Sequence, residues 1–167
     1  MAIAGERGSQ CNSCMLKKVE GMGYKFYGWQ DAAVSAASEE YRGIKSPWAL
    51  YDALSHVWCR YTCAPRLRDN WSEENKTLGQ CSITAFLVQD IFGGKVYGIK
   101  LSDGNFHLFN NVNGCVFDLT SEQFDEPLDY SVYSEQSRGE HFSKEEKRLR
   151  YDYLCKELKK YMQTATP

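Results

Sequence analysis

The sequence predicts an α+β fold, and three observations carry that prediction. Residues 82–92 (SITAFLVQDIF) place Ile83, Phe86, Leu87 and Ile91 at helical spacing and are apolar on most faces, the mark of a buried helix. Directly after it the period drops to two, giving strands over 95–101, 106–112 and 115–119 joined by Asp103-Gly104 and Asn113-Gly114 turns. Helical patterns flank this block on both sides. A buried helix followed by an antiparallel meander argues against a doubly wound parallel sheet.

Size and composition narrow the class. A chain of 167 residues is long enough for one domain with its own core. Residues 1–15 are expected to form a flexible segment and 16–167 a single domain. A hydrophobic content of 43% against 25% charged residues is that of a soluble globular protein. The net charge of −2 gives the whole molecule no attraction to nucleic acid or anionic membrane. Apolar runs such as 83–88 are too short to span a bilayer. No basic start followed by an apolar stretch is present, so the expected location is cytoplasmic. Seven cysteines, an odd number, are then expected as reduced thiols.

The elements follow in order. Cys11-Asn12-Ser13-Cys14 is a lone C-x-x-C, which reads three ways. It is half of a zinc site completed by Cys59 and Cys63, a redox pair without the usual βαβ context, or two ordinary thiols near a terminus. The leading expectation is no cofactor, with zinc as the alternative. Aromatic residues 24–29 are expected to cover the core. Ala- and Glu-rich residues 30–42 predict a helix stopped at Gly43. Ser46-Pro47 opens a second helix, with Ser as N-cap and Pro at the first helical position. Its stripe of Trp48, Leu50, Leu54, Val57, Trp58 and Tyr61 runs on until Pro65. His56, at the edge of that stripe, reads as structural or solvated. Residues 66–76 form a polar connection from which Trp71 plugs back into the body. Residues 123–139 lack a period and predict a covering loop. Ser143 with Glu146 predicts a capping box for a last helix. The inner stripe of that helix is Tyr151, Leu154, Leu158, Tyr161 and Met162, with Cys155 beside it and its charged faces in solvent.

The chemistry gathers around Gly79-Gln80-Cys81. A thiol becomes a strong nucleophile when it ionises, and a helix N-terminus favours the anion. Cys81 sits at the head of the buried helix. Gly79 permits a sharp turn and the close approach of a substrate. The Cys81 backbone N–H and the Gln80 side chain are candidate oxyanion donors, and Trp71 is a candidate substrate contact. In a hairpin turning at Asn113-Gly114, Val112 pairs with Cys115, Asp118 faces Phe109 and His107 faces Thr120. His107 and Asp118 are then diagonal neighbours on one face, whereas a one-residue slip separates them. Each residue alone has a simple structural role. Together they read as nucleophile, base and orienting acid, the constellation of a cysteine-dependent hydrolase or acyl transferase.

Two longer runs carry a family resemblance. One joins Trp71, Glu74-Asn75, Leu78-Gly79-Gln80-Cys81, Thr84-Ala85, Val88-Gln89-Asp90 and Gly93-Gly94. The other joins His107, Asn110, Asn113-Gly114, Asp118-Leu119-Thr120 and Gln123-Phe124. Over residues 48–124 the chain resembles the YunG family of small bacterial proteins. The pattern is in turn similar to papain-like folds, the group of NlpC/P60 peptidases and transglutaminase-like enzymes. The resemblance implies a papain-like α+β domain with Cys81, His107 and Asp118 as the triad and a peptide or amide-containing substrate. It departs at Leu108-Phe109, where a Tyr or Trp is expected beside the histidine. The alternative reading is a non-catalytic peptide- or partner-binding module on the same fold, with or without a stabilising zinc.

Overall fold

The computed structural model describes residues 23–165. The expected flexible segment, and with it Cys11 and Cys14, lies outside the described residues. The elements run α1 (Pro47–Ser55), α2 (Cys81–Phe92), β1 (Lys95–Lys100), β2 (Phe106–Val112), β3 (Cys115–Phe117), β4 (Ser134–Glu135), α3 (Arg138–Phe142) and α4 (Glu145–Ala165). The strands form one antiparallel sheet in the order β3-β2-β1-β4. The fold is mixed helix and antiparallel sheet, as the change of period predicts.

The β2–β3 register is the one obtained by counting from the turn, with Val112 opposite Cys115 and Asn110 opposite Phe117. Asn113 (φ 53°) and Gly114 (φ 85°) both take the left-handed conformation that a two-residue hairpin turn demands. Alternation then sorts β2. Leu108 packs with Ala85, Phe86 and Val96, and the Asn110 amide donates to the Ala85 carbonyl at 2.8 Å, so these residues face α2. Phe109 meets Tyr130 and Tyr133 edge-on, and His107 meets Phe124 edge-on, so these face the covering segment. Helix α2 is enclosed on nearly every side, with Ile83, Phe86, Leu87, Val88 and Ile91 fully buried. The inner stripe of α4 is seated by buried Leu154 and Leu158.

Four expected elements differ. Residues 30–42 are not a helix. Two 3-10 turns, Trp29–Asp31 and Glu39–Tyr41, bracket an irregular stretch. Its Ala37 and Ser38 N–H groups donate to the Ile91 carbonyl at 2.7 and 3.2 Å, closing the C-terminal end of α2, and Ala32 and Val34 enter the core. Tertiary pairing has overridden alanine propensity. Helix α1 stops at Ser55, short of Pro65, while Val57 and Trp58 still turn inward and Tyr61 is exposed. The capping box is not formed, because the Ser143 hydroxyl donates to the Glu140 carbonyl as α3 ends. The covering loop carries more structure than expected. It supplies β4, which adds to the edge of β1 through Tyr97 and Gly98, and the start of α3.

Candidate active site

Cys81 is the first residue of α2, after a Gly79 that no other residue replaces without cost. Gly79 has φ +69°, and a Cβ there would lie 2.5 Å from Cys63 Sγ and 2.9 Å from the Ala64 nitrogen. The turn is tied down on both sides. The Gly79 carbonyl accepts from Ala64 N–H at 2.9 Å, and its N–H donates to Gln123 Oε1 at 3.3 Å. One turn further along α2, Thr84 Oγ1 accepts from the Trp58 indole at 3.1 Å. The head of the helix is thus held from three directions. No side chain caps it, so its first N–H groups, that of Cys81 included, have no intrahelical acceptor.

His107 on β2 and Asp118 just beyond β3 are both buried, with His107 Nε2 2.5 Å from Asp118 Oδ2. Asp118 is saturated with donors. Tyr130 Oη donates to Oδ2 at 2.7 Å, and the Thr120 N–H and hydroxyl donate to Oδ1 at 2.9 and 3.1 Å. With Nε2 committed to the carboxylate, Nδ1 is the ring nitrogen left for the thiol. Gln123 Nε2 lies 3.5 Å from Nδ1 while donating to the Thr120 carbonyl at 2.9 Å. The His107 imidazole and the Leu108 N–H lie close enough to the Cys81 sulfur to favour its anion.

The electrostatics follow from this packing. Burial pushes the Cys81 thiol up. The opposing pull of the His107 charge, its hydrogen bond and the Leu108 N–H is larger, so the thiol lies below its ordinary value. Burial likewise disfavours the His107 cation, but Asp118 and the Cys81 thiolate raise it to about 10. Burial disfavours the Asp118 anion, and His107, Tyr130 and Thr120 together hold its carboxyl below the usual range. Tyr130, raised by burial and by Asp118, stays protonated and remains a donor. The three groups favour one another's charged forms: the imidazolium favours the Cys81 thiolate, and the thiolate and the Asp118 carboxylate favour the imidazolium.

The other expected site residues lie elsewhere. Gln80 is fully buried and its amide donates to the Cys59 carbonyl at 3.1 Å, so it points away from the cleft. Trp71 is half-buried, donates to the Lys76 carbonyl at 3.1 Å and does not line the cleft. Cys63 is buried and Cys59 half-buried. Among the described residues no group of three or more His, Cys, Asp or Glu side chains is arranged to hold a metal ion. Among them, too, no helix is long and apolar enough to cross a membrane. His56 is exposed and stacks on Tyr161.

Sequence reasoning did not identify Tyr130 or the Leu108 N–H. Tyr130 comes from the aperiodic loop, and a backbone donor has no residue signature. Tyr130 is itself braced by Tyr27, whose ring stacks on it at 3.7 Å. The Tyr27 carbonyl accepts from Asp118 N–H at 3.0 Å, so the segment before α1 presses on the acid of the site.

Comparison with known proteins identifies relatives. The family model for the YunG protein matches residues 46–163. A Bacillus subtilis (strain 168) protein designated "uncharacterized protein YunG" is 39% identical over 77 residues, 46% of this chain. The matched region covers 62% of that relative. No solved structure matches the chain.

Proposed function

The chain belongs to the YunG family, and we propose that it is a cysteine-dependent hydrolase or acyl transferase of papain-like type acting on a peptide or other amide. One geometry carries the reading. A cysteine at the uncapped head of a buried helix lies within electrostatic reach of an imidazole whose Nε2 is 2.5 Å from a buried carboxylate. Nucleophile on a helix, then base and acid on adjoining antiparallel strands, is the papain-like order.

The residues suit each step. The Cys81 thiolate attacks the acyl carbonyl and forms the C–S bond, while the carbonyl π electrons move to oxygen. The Cys81 N–H, at the positive end of α2, is placed to receive that charge. Collapse breaks the C–N bond. His107 gives the proton on Nδ1 to the departing amine, leaving a thioester and a neutral imidazole. Water or an acceptor amine then loses its proton to Nδ1 as it attacks the thioester, and the thiolate–imidazolium pair is restored. Asp118 holds the ring and offsets its charge throughout. Gln123, touching both Gly79 and the ring, fixes the distance between the two walls.

Iodoacetamide labelling read by peptide mass spectrometry tests the reading. Cys81 is expected to react near neutral pH well ahead of half-buried Cys115, and His107→Ala is expected to slow it at least tenfold. A Cys81 no faster than Cys115 refutes the catalytic reading and leaves the cleft a groove for holding a peptide or partner. Given a reactive Cys81, turnover of an activated ester or amide separates hydrolysis from transfer to an added amine.

A further inference from the structure

The cleft lined by Cys81 and His107 has a volume of about 780 Å³ and an uneven distribution of charge. Part of its wall is the corner between α3 and α4, with His141, Lys144, Lys147 and Arg150. Two of the cations in the lining are matched. Arg66 lies 3.5 Å from Asp103, and Arg150 lies 2.8 Å from Glu146 while donating to the Thr62 carbonyl. Lys144 and Lys147 have no carboxylate within ion-pairing distance among the described residues.

His141 adds an independent observation. Its ring is buried (8% exposed) between these cations and Phe86. Lys147 Nζ lies 3.4 Å from His141 Nδ1. An ammonium only donates, so Nδ1 accepts and the ring proton sits on Nε2. That Nε2–H has no partner. Buried donors are nearly always satisfied, and this one has no partner and almost no accessible surface, in a ring that lines a site already rich in positive charge. Burial and the neighbouring Lys147, Arg150, Lys144 and Arg138 hold the imidazole neutral, pushing it to about 3, so the donor persists across the physiological range. Lys147 is also within electrostatic reach of the Cys81 thiolate.

We propose that this corner is an anion subsite, and that the acyl substrate carries a carboxylate or phosphate close to the carbonyl that Cys81 attacks. An anionic oxygen there offsets Lys144 and Lys147 beside the neutral His141 ring. The chain as a whole is acidic, with a net charge of −2, so a locally cationic cleft selects its ligand against the general field of the molecule. The substrate part of the proposal rests on the catalytic reading above. The subsite itself does not.

Two reagents of nearly equal size and opposite character test it on the full chain. Cys81 is alkylated with iodoacetate, which is anionic, and with iodoacetamide, which is neutral. The ratio of the two rates is expected to fall about three- to tenfold in the Lys144→Ala/Lys147→Ala variant, as loss of two nearby cations at a partly solvated site implies. An unchanged ratio overturns the proposal. If iodoacetamide finds Cys81 inert, the catalytic reading has failed separately, and the subsite is read without the thiol. In Cys81→Ser, the ¹⁵N resonance of His141 Nε2 is followed against glutarate, inorganic phosphate and neutral glutaramide. A saturable shift with glutarate marks a carboxylate site and one with phosphate a phosphate site, each abolished in the double-lysine variant. No anion-specific shift overturns the subsite.

Discussion

Asp118→Asn exchanges one oxygen for an NH2 group at a position where four donors converge and nothing is donated. The Asp118 carboxylate accepts from His107 Nε2, Tyr130 Oη, Thr120 N–H and Thr120 Oγ1. An amide keeps one accepting oxygen. Turned toward Thr120, it sets its nitrogen against His107 and Tyr130, donor against donor. His107 is raised from 6.5 to about 10 despite burial, which corresponds to about 5 kcal/mol of preference for the cation at 1.36 kcal/mol per unit. Asp118 is the largest favourable influence on that preference. Removing it takes away about half or more, on the order of 2–3 kcal/mol, or about two units. With the imidazole holding its proton less firmly, its pairing with Cys81 weakens and the thiol loses part of the influence that lowers it. The pH midpoint of Cys81 alkylation by iodoacetamide is expected to rise by about one to two units, and the rate at a pH below the native midpoint to fall about ten- to a hundredfold. A midpoint unchanged from the native protein refutes the coupling, and a native midpoint already at the ordinary thiol value refutes the ion pair itself. Stability carries the same signature. Because His107 is raised, its contribution is fully present below about 6.5 and is lost as pH rises through about 10. Because Asp118 is lowered, its contribution is present above about 3.8 and is lost as pH falls through its folded value. The stability gap between native protein and variant is therefore widest between about pH 4 and 6.5 and closes toward pH 10.

Two further substitutions separate the scaffold from the chemistry. Tyr130→Phe deletes one of the four donors to Asp118 and keeps the stack on Tyr27; it is expected to cost about 1–2 kcal/mol in urea unfolding and to lower the alkylation rate of Cys81 only a few-fold. Gly79→Ala puts a methyl group into Cys63 Sγ and the Ala64 backbone at a left-handed position; a loss of about 2–4 kcal/mol and a Cys81 displaced from His107, seen as slowed alkylation in whatever fraction stays folded, are expected.

The candidate site divides cleanly by the range of the forces involved. The hairpin register was legible because Asn113-Gly114 leaves one turn geometry, and alternation then fixes which residues share a face. Cys81 at the head of α2 was legible because apolar spacing marks where that helix begins. Residues 30–42 misled because helix propensity amounts to tenths of a kcal/mol per residue. Here it competed with two backbone hydrogen bonds to Ile91 and the burial of Ala32 and Val34. The charged faces of the last helix misled in part. Arg150 is buried and bonded to Thr62, 88 positions away, whereas Arg148 and Leu149 just before it are exposed.

By itself, then, the order of residues determined the α+β class, the buried helix with a cysteine at its head, the two-residue turn and the facing of His107 and Asp118. All of these depend on spacing within about forty residues. Only the tertiary structure decided that Gln80 turns inward to Cys59, that Tyr130 completes the shell of Asp118 with Tyr27 behind it, and that His141 meets Lys147 in the wall of the cleft that Cys81 lines. The reason is physical. Local periodicity registers which side of an element is apolar, but a polar side chain takes its partner from whatever surface folding brings within 3 Å. Between Tyr27 and Asp118 that surface arrives from a segment that no local pattern connects to the site.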